Sequence, residues 1–206
     1  MEILEIKDLE TLAKKRVPKM FFDYVNSGSW TETTYNENVS DFQKIKLRQR
    51  VAIDMSNRTL ETKMINQPVS MPVAIAPTGL TGMQRADGEI LAAQAAEEFG
   101  IPYTLSTMSV CSIEAVAEKT KKPFWFQLYV MKDKKFMERL IDRAKEAKCS
   151  ALVLTLDLQL LGQRHKDLRN GLSTPPKLIP KHIYQVLTRP MWCLRMLTTK
   201  NHFFGN

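Results

Sequence analysis

Short apolar runs alternate with amphipathic helical stretches through the middle of the chain. Four runs have the length and composition of strands: Val73–Ala76, Tyr103–Ser106, Phe124–Leu128 and Ala151–Leu156. The helices predicted between them cover Glu89 to Phe99, a short segment from near Ser112, and about Lys134 to Lys148. Strands that are apolar on both faces and alternate with such helices indicate βαβ units in a parallel sheet.

The chain on either side of this region has a different pattern. Two short helices are predicted near the N-terminus, the first capped by Asp8 and the second beginning at Pro18 and ending at Gly28. Beyond Gly171 no fifth strand is predicted. The expected organisation is therefore a helical entry segment (1–70), four βα units (71–170) and a tail (171–206).

Composition and charge are those of a globular protein with an unusual tail. Hydrophobic residues make up 44% of the 206 and charged residues 25%, which excludes disorder throughout. The net charge is +8, yet all 22 acidic residues precede Leu168, and the segment from there to the end carries six basic residues and no acidic one. Because the basic excess forms no stripe on the predicted βα region, nucleic-acid binding is not expected.

Cysteine usage and the N-terminus bear on the compartment. The three cysteines, Cys111, Cys149 and Cys193, lie far apart without a Cys-x-x-Cys pair, so neither a disulfide framework nor a metal site is expected. The acidic start lacks the basic region and apolar run of a signal peptide. No apolar stretch approaches the roughly 18 residues that cross a bilayer. The cytoplasm is the expected location.

Each predicted strand is followed by polar side chains at its carboxyl end, where parallel α/β folds bind ligands. These residues are Pro77, Thr78 and Gly79 after the first strand, Ser106 and Thr107 after the second, Gln127 and Tyr129 after the third, and Thr155 and Asp157 after the fourth. Taken singly, a Ser or Thr there is commonly a helix cap or turn former, and Tyr129 could be an aromatic at the edge of the core. Taken together, four such ends describe one polar rim.

The same residues carry a resemblance to a known family. The segments concerned are Pro18–Tyr24 with Ser27–Gly28, Met71–Gly79, Leu105–Thr107, Ser112–Glu114, Phe126–Tyr129, Thr155–Asp157 with Gly162, and Asp167–Gly171. They resemble the FMN-dependent 2-hydroxy-acid dehydrogenases and oxidases, the family of glycolate oxidase and bacterial L-lactate dehydrogenase. The resemblance implies an α/β fold of the TIM (β/α)8-barrel type, with FMN as cofactor and a small 2-hydroxy acid as substrate.

The resemblance also assigns roles to individual residues. Pro77, Thr78 and Gly79 would pass along the flavin edge, and Ser106, Gln127 and Thr155 would hydrogen-bond its ring. Tyr24 and Tyr129 would hold the carboxylate and hydroxyl of the substrate, with Arg164 on the loop that covers it. Asp157 would orient the catalytic histidine. Met108 and Gln159 depart from the plant-type pattern, and Met108 favours the L-lactate dehydrogenase branch.

The length predicts half of a barrel. A (β/α)8 barrel takes about 250 residues, whereas four strands are predicted here. In the family the flavin-phosphate site, a lysine and the catalytic histidine and arginine lie on later strands, and none of His165, His182 and His202 matches that histidine. We expect a truncated half-barrel that is unstable alone or bound to a complementary C-terminal half or to another copy.

Two classes of function therefore stay open. One is FMN-dependent oxidation of an L-2-hydroxy acid, with L-lactate favoured, this chain carrying part of the active site. The other is a non-catalytic remnant or binding half-barrel. In either case residues 177–206, which are basic and rich in apolar side chains, could dock on anionic lipid at the inner face of the cell membrane, or could be an ordinary insertion.

Overall fold

The computed structural model describes residues 2–157, 159–160, 162–172 and 179–206. The N-terminal part is helical and ends in a small hairpin. Its elements are α1 (Ile6–Arg16), α2 (Lys19–Val25), α3 (Thr33–Ser40), a 3₁₀ turn (Asp41–Lys44) and the antiparallel strands β1 (Thr62–Met64) and β2 (Gln67–Val69).

Strands and helices then alternate as the apolar pattern predicts. The elements are α4 (Thr81–Gln84), α5 (Gly88–Phe99), β3 (Thr104–Ser106), α6 (Ile113–Lys119), β4 (Trp125–Tyr129), α7 (Lys134–Glu146) and β5 (Ala151–Thr155). Three helices follow: α8 (His165–Asn170), α9 (Pro180–Leu187) and α10 (Pro190–Thr198).

The sheet is parallel and has the order β3-β4-β5. The first predicted strand, Val73–Ala76, lies beside β3 as expected but forms only an isolated bridge between Ile75 and Tyr103. Pro72 and Pro77 bracket this run, and because proline has no N–H and a fixed φ, they limit the length of any ladder there.

The core lies between the sheet and helices α5, α6 and α7. Leu105, Ile113, Phe126 and Leu140 are fully buried in it. The outer side of β5 is different, since Leu152 is 47% exposed and no further strand covers it in the part of the chain that the structure describes. This agrees with the expectation that the last strand of a half-barrel leaves apolar side chains in water.

The start of α1 corrects the predicted cap. Glu5 is the N-cap residue and Asp8 occupies the third helical position. The Asp8 carboxylate accepts hydrogen bonds from the Glu5 N–H (3.1 Å) and the Leu4 N–H (2.9 Å). The two residues form a capping box, in which the acidic residue three positions into the helix reaches back to the cap. The cap prediction was therefore wrong by three residues.

The C-terminal tail is largely helical and packs against the N-terminal helices. Trp192 in α10 stacks on Phe21 with ring centroids 5.6 Å apart, and its Nε1–H donates to the Met83 carbonyl (2.9 Å). The side chain of Gln185 in α9 accepts from the Met20 N–H (2.9 Å). Contacts of this kind join segments more than 100 residues apart, so sequence periodicity does not reveal them. Among the described residues, no helix is both long and apolar enough to span a bilayer.

Candidate active site

A row of hydrogen-bonded polar side chains crosses the three parallel strands near their carboxyl ends. Ser106 Oγ donates to Gln127 Oε1 (3.2 Å), and Gln127 Nε2 donates to Thr155 Oγ1 (2.8 Å). The register explains the row, because Ser106 lies opposite Gln127, and Thr155 lies opposite Tyr129, two residues beyond Gln127. Ser106 and Gln127 are buried, so this amide and its hydroxyl partners are held in fixed positions.

Thr107, which the sequence placed in the polar rim without a specific role, hydrogen-bonds to the same row. Its hydroxyl donates to the Gln127 carbonyl (2.5 Å) and accepts from the Tyr129 N–H (3.3 Å), while its own N–H donates to Gln127 Oε1 (3.2 Å). The sequence signal was present, since a buried polar residue directly after a strand needs partners. The common use of Thr in turns left this role unassigned.

The loop Pro77–Gly79 lies beside this row and against Tyr24. The Leu80 N–H donates to the Met108 carbonyl (2.9 Å), which ties the loop to the segment that follows β3. A Cβ atom at Gly79 would lie 3.0 Å from the Tyr24 hydroxyl and 3.4 Å from Met108 Cβ. A side chain at position 79 would therefore push the Tyr24 hydroxyl away by a few tenths of an ångström, whereas glycine leaves the backbone close to that hydroxyl.

Arg164, at the N-terminus of α8, is held against Tyr24. Its guanidinium carbon lies 4.7 Å from the centre of the Tyr24 ring, and the guanidinium donates to the Tyr24 carbonyl and to Ser27 Oγ (2.8 Å). Nε lies 2.9 Å from Asp167 Oδ2. Burial raises the pKa of the Tyr24 phenol, and the Arg164 charge partly opposes that shift. Tyr24 is accordingly a protonated hydrogen-bond donor at neutral pH.

Tyr129 and Asp157 form a second pair at this edge. Burial raises the pKa of the Tyr129 phenol, and the neighbouring Asp157 carboxylate raises it further. Tyr129 also lies close enough to Tyr24 for its charge to act on that phenol. The two tyrosines, predicted from segments about 100 residues apart, therefore face one region.

Asp157 itself is exposed, and it has no hydrogen bond or ion pair with any residue the structure describes. A buried carboxylate would need a partner because burial removes its water, but this reason does not apply to an exposed one. None of the three histidines contacts it: His165 packs against Trp30, His182 is buried against the Asn170 carbonyl, and His202 is exposed. Asp157 is thus free to meet a group from outside the described residues.

Glu89 is a residue that sequence reasoning missed. Its side chain is fully buried, and Oε1 accepts from the Gly82 N–H and the Val110 N–H, each at 2.9 Å. The Gly82 amide belongs to α4 and the Val110 amide to the loop that follows β3, so one carboxylate braces both segments beside the site. An acidic residue in the first turn of a helix is ordinarily interpreted as a partner of the helix dipole, which hides this role.

The structure brings most of the predicted residues together. Ser106, Gln127 and Thr155 share one row, while Gly79, Tyr24, Arg164 and Tyr129 with Asp157 lie beside it. Pro77 and Thr78 are exposed on the adjoining loop. The donor set suits a flat heteroaromatic ring with polar edges, because hydroxyl and amide groups lie at strand spacing and Gly79 keeps a side chain off the loop beside them.

Comparison with known proteins identifies the family. The sequence profile of the FMN-dependent dehydrogenases matches residues 13–205. The chain belongs to the FMN-dependent dehydrogenase family. Members of this family depend on FMN, which confirms the cofactor predicted from the motifs.

Curated members of the FMN-dependent dehydrogenase family resemble the chain over nearly all of its length. It is 44% identical to an L-lactate dehydrogenase of Acinetobacter baylyi over 207 residues, which cover 100% of this chain and 54% of that protein. It is 46% identical to an L-lactate dehydrogenase of Acinetobacter baumannii over 200 residues, which cover 97% and 52%. The chain thus spans about half the length of the curated relatives it matches.

Solved structures agree with the fold. The monotopic membrane protein (S)-mandelate dehydrogenase matches with a TM-score of 0.91 and 31% identity, over 100% of this chain and 55% of that one. A soluble mutant of the membrane-associated (S)-mandelate dehydrogenase from Pseudomonas putida matches with a TM-score of 0.80 and 35% identity, over 88% and 52%. The chain therefore has the fold of half a TIM barrel, as predicted, and its parallel sheet is the corresponding part of the barrel sheet.

Proposed function

We propose that this chain supplies part of the active site of an FMN-dependent enzyme that oxidises an L-2-hydroxy acid to the 2-oxo acid. The observation that carries the proposal is the hydrogen-bonded row of Ser106, Gln127 and Thr155, with Tyr24 and Tyr129 beside it. A row of fixed donors and acceptors next to two protonated phenols suits a flavin ring with a small carboxylate-bearing substrate above it.

L-lactate is the proposed substrate. The relatives named L-lactate dehydrogenase are 44–46% identical to this chain, whereas the mandelate dehydrogenase structures are 31–35% identical. The identity difference supports lactate over an aromatic hydroxy acid, because residues around a site diverge with the substrate that it takes.

Different residues would bind the cofactor and the substrate. Ser106, Gln127 and Thr155 would hydrogen-bond the ring of FMN, and the backbone of Pro77–Gly79 would pass along its edge. The chemistry that FMN supplies when bound is acceptance of the two electrons released as the C2 alcohol becomes a ketone. Tyr24 and Tyr129 would each donate a hydrogen bond to the substrate carboxylate or hydroxyl, since both phenols stay protonated at neutral pH.

Asp157 and Arg164 would complete the site. Asp157 is exposed beside Tyr129, and its carboxylate would orient a histidine that removes the substrate proton. Arg164 would act on the substrate from the loop that precedes α8, although its present contacts hold it on Tyr24 and Asp167. Moving it onto a substrate carboxylate would require exchanging these contacts for the new ion pair.

The working enzyme would need a complementary half, which is the proposed partner of this chain. The exposed apolar side of β5, with Leu152 and Leu154 about half exposed, supports this because such a surface is stabilised when another strand layer covers it. A non-catalytic remnant or binding half-barrel is the alternative function, favoured because no histidine among the described residues contacts Asp157.

We also propose peripheral contact with the inner face of the cell membrane through residues 177–206, of which 179–206 are described. Support comes from the exposed apolar side chains of α9 and α10, among them Ile183, Leu187, Leu194 and Leu197. The absence of any acidic residue after Asp167 adds a preference for anionic lipid.

The decisive experiment joins this chain to the portion of the Acinetobacter baylyi relative that it does not match. The purified chimera is expected to hold FMN and to lose its flavin absorbance on addition of L-lactate in the absence of oxygen, but not with D-lactate. The chain alone is expected to bind FMN weakly and to remain unreduced. A chimera that folds and holds FMN, yet is reduced by no L-2-hydroxy acid, would refute the proposed activity.

Two variants of the chimera test the assigned roles. Tyr129→Phe removes a single hydroxyl and should slow the reduction of the flavin while FMN stays bound. Asp157→Asn keeps the shape of the side chain but removes its charge, and should also slow reduction. The matched control is Asp133→Asn on α7, a helix cap outside the site, which should reduce at the unaltered rate.

A further inference from the structure

A cleft lies between α1, the link from α4 to α5, and α10, away from the candidate active site. Its volume is about 390 Å³, within the range of small-molecule sites. Eleven residues line it and none is acidic: three are arginines, one is Gln84, and the other seven are apolar. The cleft exists because the C-terminal tail docks on the N-terminal helices.

Three arginines from separate segments meet in this cleft. Arg16 ends α1, Arg85 follows α4, and Arg195 lies in the last turn of α10. In the part of the chain that the structure describes, none of their guanidinium groups has a hydrogen bond or an ion pair. Three unpaired positive charges around one concave surface favour a ligand with negative charge, because the cations otherwise repel one another.

Apart from Gln84, the rest of the lining is apolar, and one wall of it is held in place. Trp192 forms one wall and is fixed by its stack on Phe21 and by its hydrogen bond to the Met83 carbonyl. Exposed apolar side chains lie at and next to the rim of the cleft: Leu9 is 47% exposed, Met191 59% and Leu197 81%. A ligand that matched both features would carry an anionic group attached to a long apolar body.

We infer that this cleft binds the phosphate headgroup of an anionic phospholipid, with the acyl chains along the exposed face of α10. The inference rests on the proposed membrane contact and deepens it, because Arg16 and Arg85 lie outside residues 177–206. An anionic phospholipid fits better than a soluble phosphate, since a soluble anion would gain nothing from the apolar rim that surrounds the arginines.

The test is co-sedimentation of the full chain with two kinds of vesicle. One kind is phosphatidylcholine alone and the other is phosphatidylcholine mixed with phosphatidylglycerol. Replacing Arg16, Arg85 and Arg195 together by Gln is expected to weaken binding to the mixed vesicles roughly 10- to 100-fold. The charge-matched control replaces three exposed lysines outside the cleft lining, Lys132, Lys134 and Lys135, by Gln. It should change binding less than about threefold.

A second variant separates this inference from the membrane contact itself. Leu194→Ser with Leu197→Ser removes exposed apolar side chains and should weaken binding to both kinds of vesicle. If this pair loses binding while the arginine variant binds like the lysine control, the membrane contact stands and the headgroup site is refuted. Circular dichroism of each variant checks that the chain still folds.

Two further outcomes bear on the inference. Binding to phosphatidylcholine alone that equals binding to the mixed vesicles would overturn it. Soluble glycerol phosphate that competes as well as the lipid would also overturn it, because the site would then take a soluble anion. Quenching of tryptophan fluorescence by lipids brominated near the headgroup, reduced in the arginine variant, would support it.

Discussion

Replacing Gln127 by Leu should destabilise the chain more than a single buried polar residue usually does. The side chain is 1% exposed and makes three hydrogen bonds, with Ser106 Oγ, the Thr107 N–H and Thr155 Oγ1. Leu has a similar volume, so the packing change is small. The Thr107 N–H, however, loses its acceptor at a position that is 3% exposed.

The structure sets the magnitude. The bonds to the two hydroxyls contribute about 1 kcal/mol net each, and the buried Thr107 N–H left without a partner costs about 1–3 kcal/mol, so the free energy of unfolding should fall by about 3–5 kcal/mol. Urea denaturation followed by circular dichroism measures this as a lower midpoint with an unchanged slope. Thr155→Val is the control, because it removes one partner at a partly exposed position and should cost about 1 kcal/mol or less.

A double-mutant cycle completes the measurement. Gln127→Leu and Thr155→Val remove the same Nε2 to Oγ1 bond, so the two costs should add to more than the cost of the double variant. A loss below about 0.5 kcal/mol for Gln127→Leu would refute the reasoning, because the row would then contribute nothing to folding. Full additivity would show that the bond is not formed in solution.

Three other predictions follow from contacts outside the site. The hydrogen-bonded Arg143 guanidinium lowers the pKa of Glu114 to about 2, so Glu114→Gln should cost under about 1 kcal/mol at pH 7, the carboxylate being more than half exposed. That difference from the unaltered chain should disappear as the pH falls from the usual carboxyl range towards 2, as urea midpoints measured across pH would reveal. Trp192→Ala should lower the unfolding free energy by about 2–3 kcal/mol because the tail loses its stacked anchor, whereas Trp30→Ala, at a side chain 57% exposed, should cost under about 1 kcal/mol in the same assay. Burial raises the pKa of Cys149 to about 11, so iodoacetamide at pH 8 should label it roughly 100-fold more slowly than an unperturbed thiol, and rapid labelling followed by peptide mapping would contradict this.

Interactions between residues close in the sequence made the βα region predictable. Ser112 and Asp133 cap α6 and α7 by accepting hydrogen bonds from N–H groups three residues ahead, and Gly100 ends α5 with a φ of 81° that favours glycine. Apolar runs then fix the strands. Since parallel strands carry their carboxyl ends to one edge, the row of Ser106, Gln127 and Thr155 follows from the same pattern.

The hairpin and the position of the tail were not predictable in this way. The strands β1 and β2 are three residues each, too short for an alternating pattern to stand out. The sequence shows the tail helices only as a basic, apolar segment. Their position against α2 depends on single contacts such as the stack of Trp192 on Phe21.

By itself, the sequence determined the order of the βα units, their caps and the polar residues at the strand ends, because these depend on neighbours a few positions apart. The tertiary structure alone decided which distant groups meet: Arg164 over Tyr24, Glu89 between α4 and the loop after β3, and three arginines around one cleft. The arginines of the cleft, for example, come from positions as far apart as Arg16 and Arg195. No periodicity encodes such contacts, since they arise only once the packed helices and strands bring those segments together.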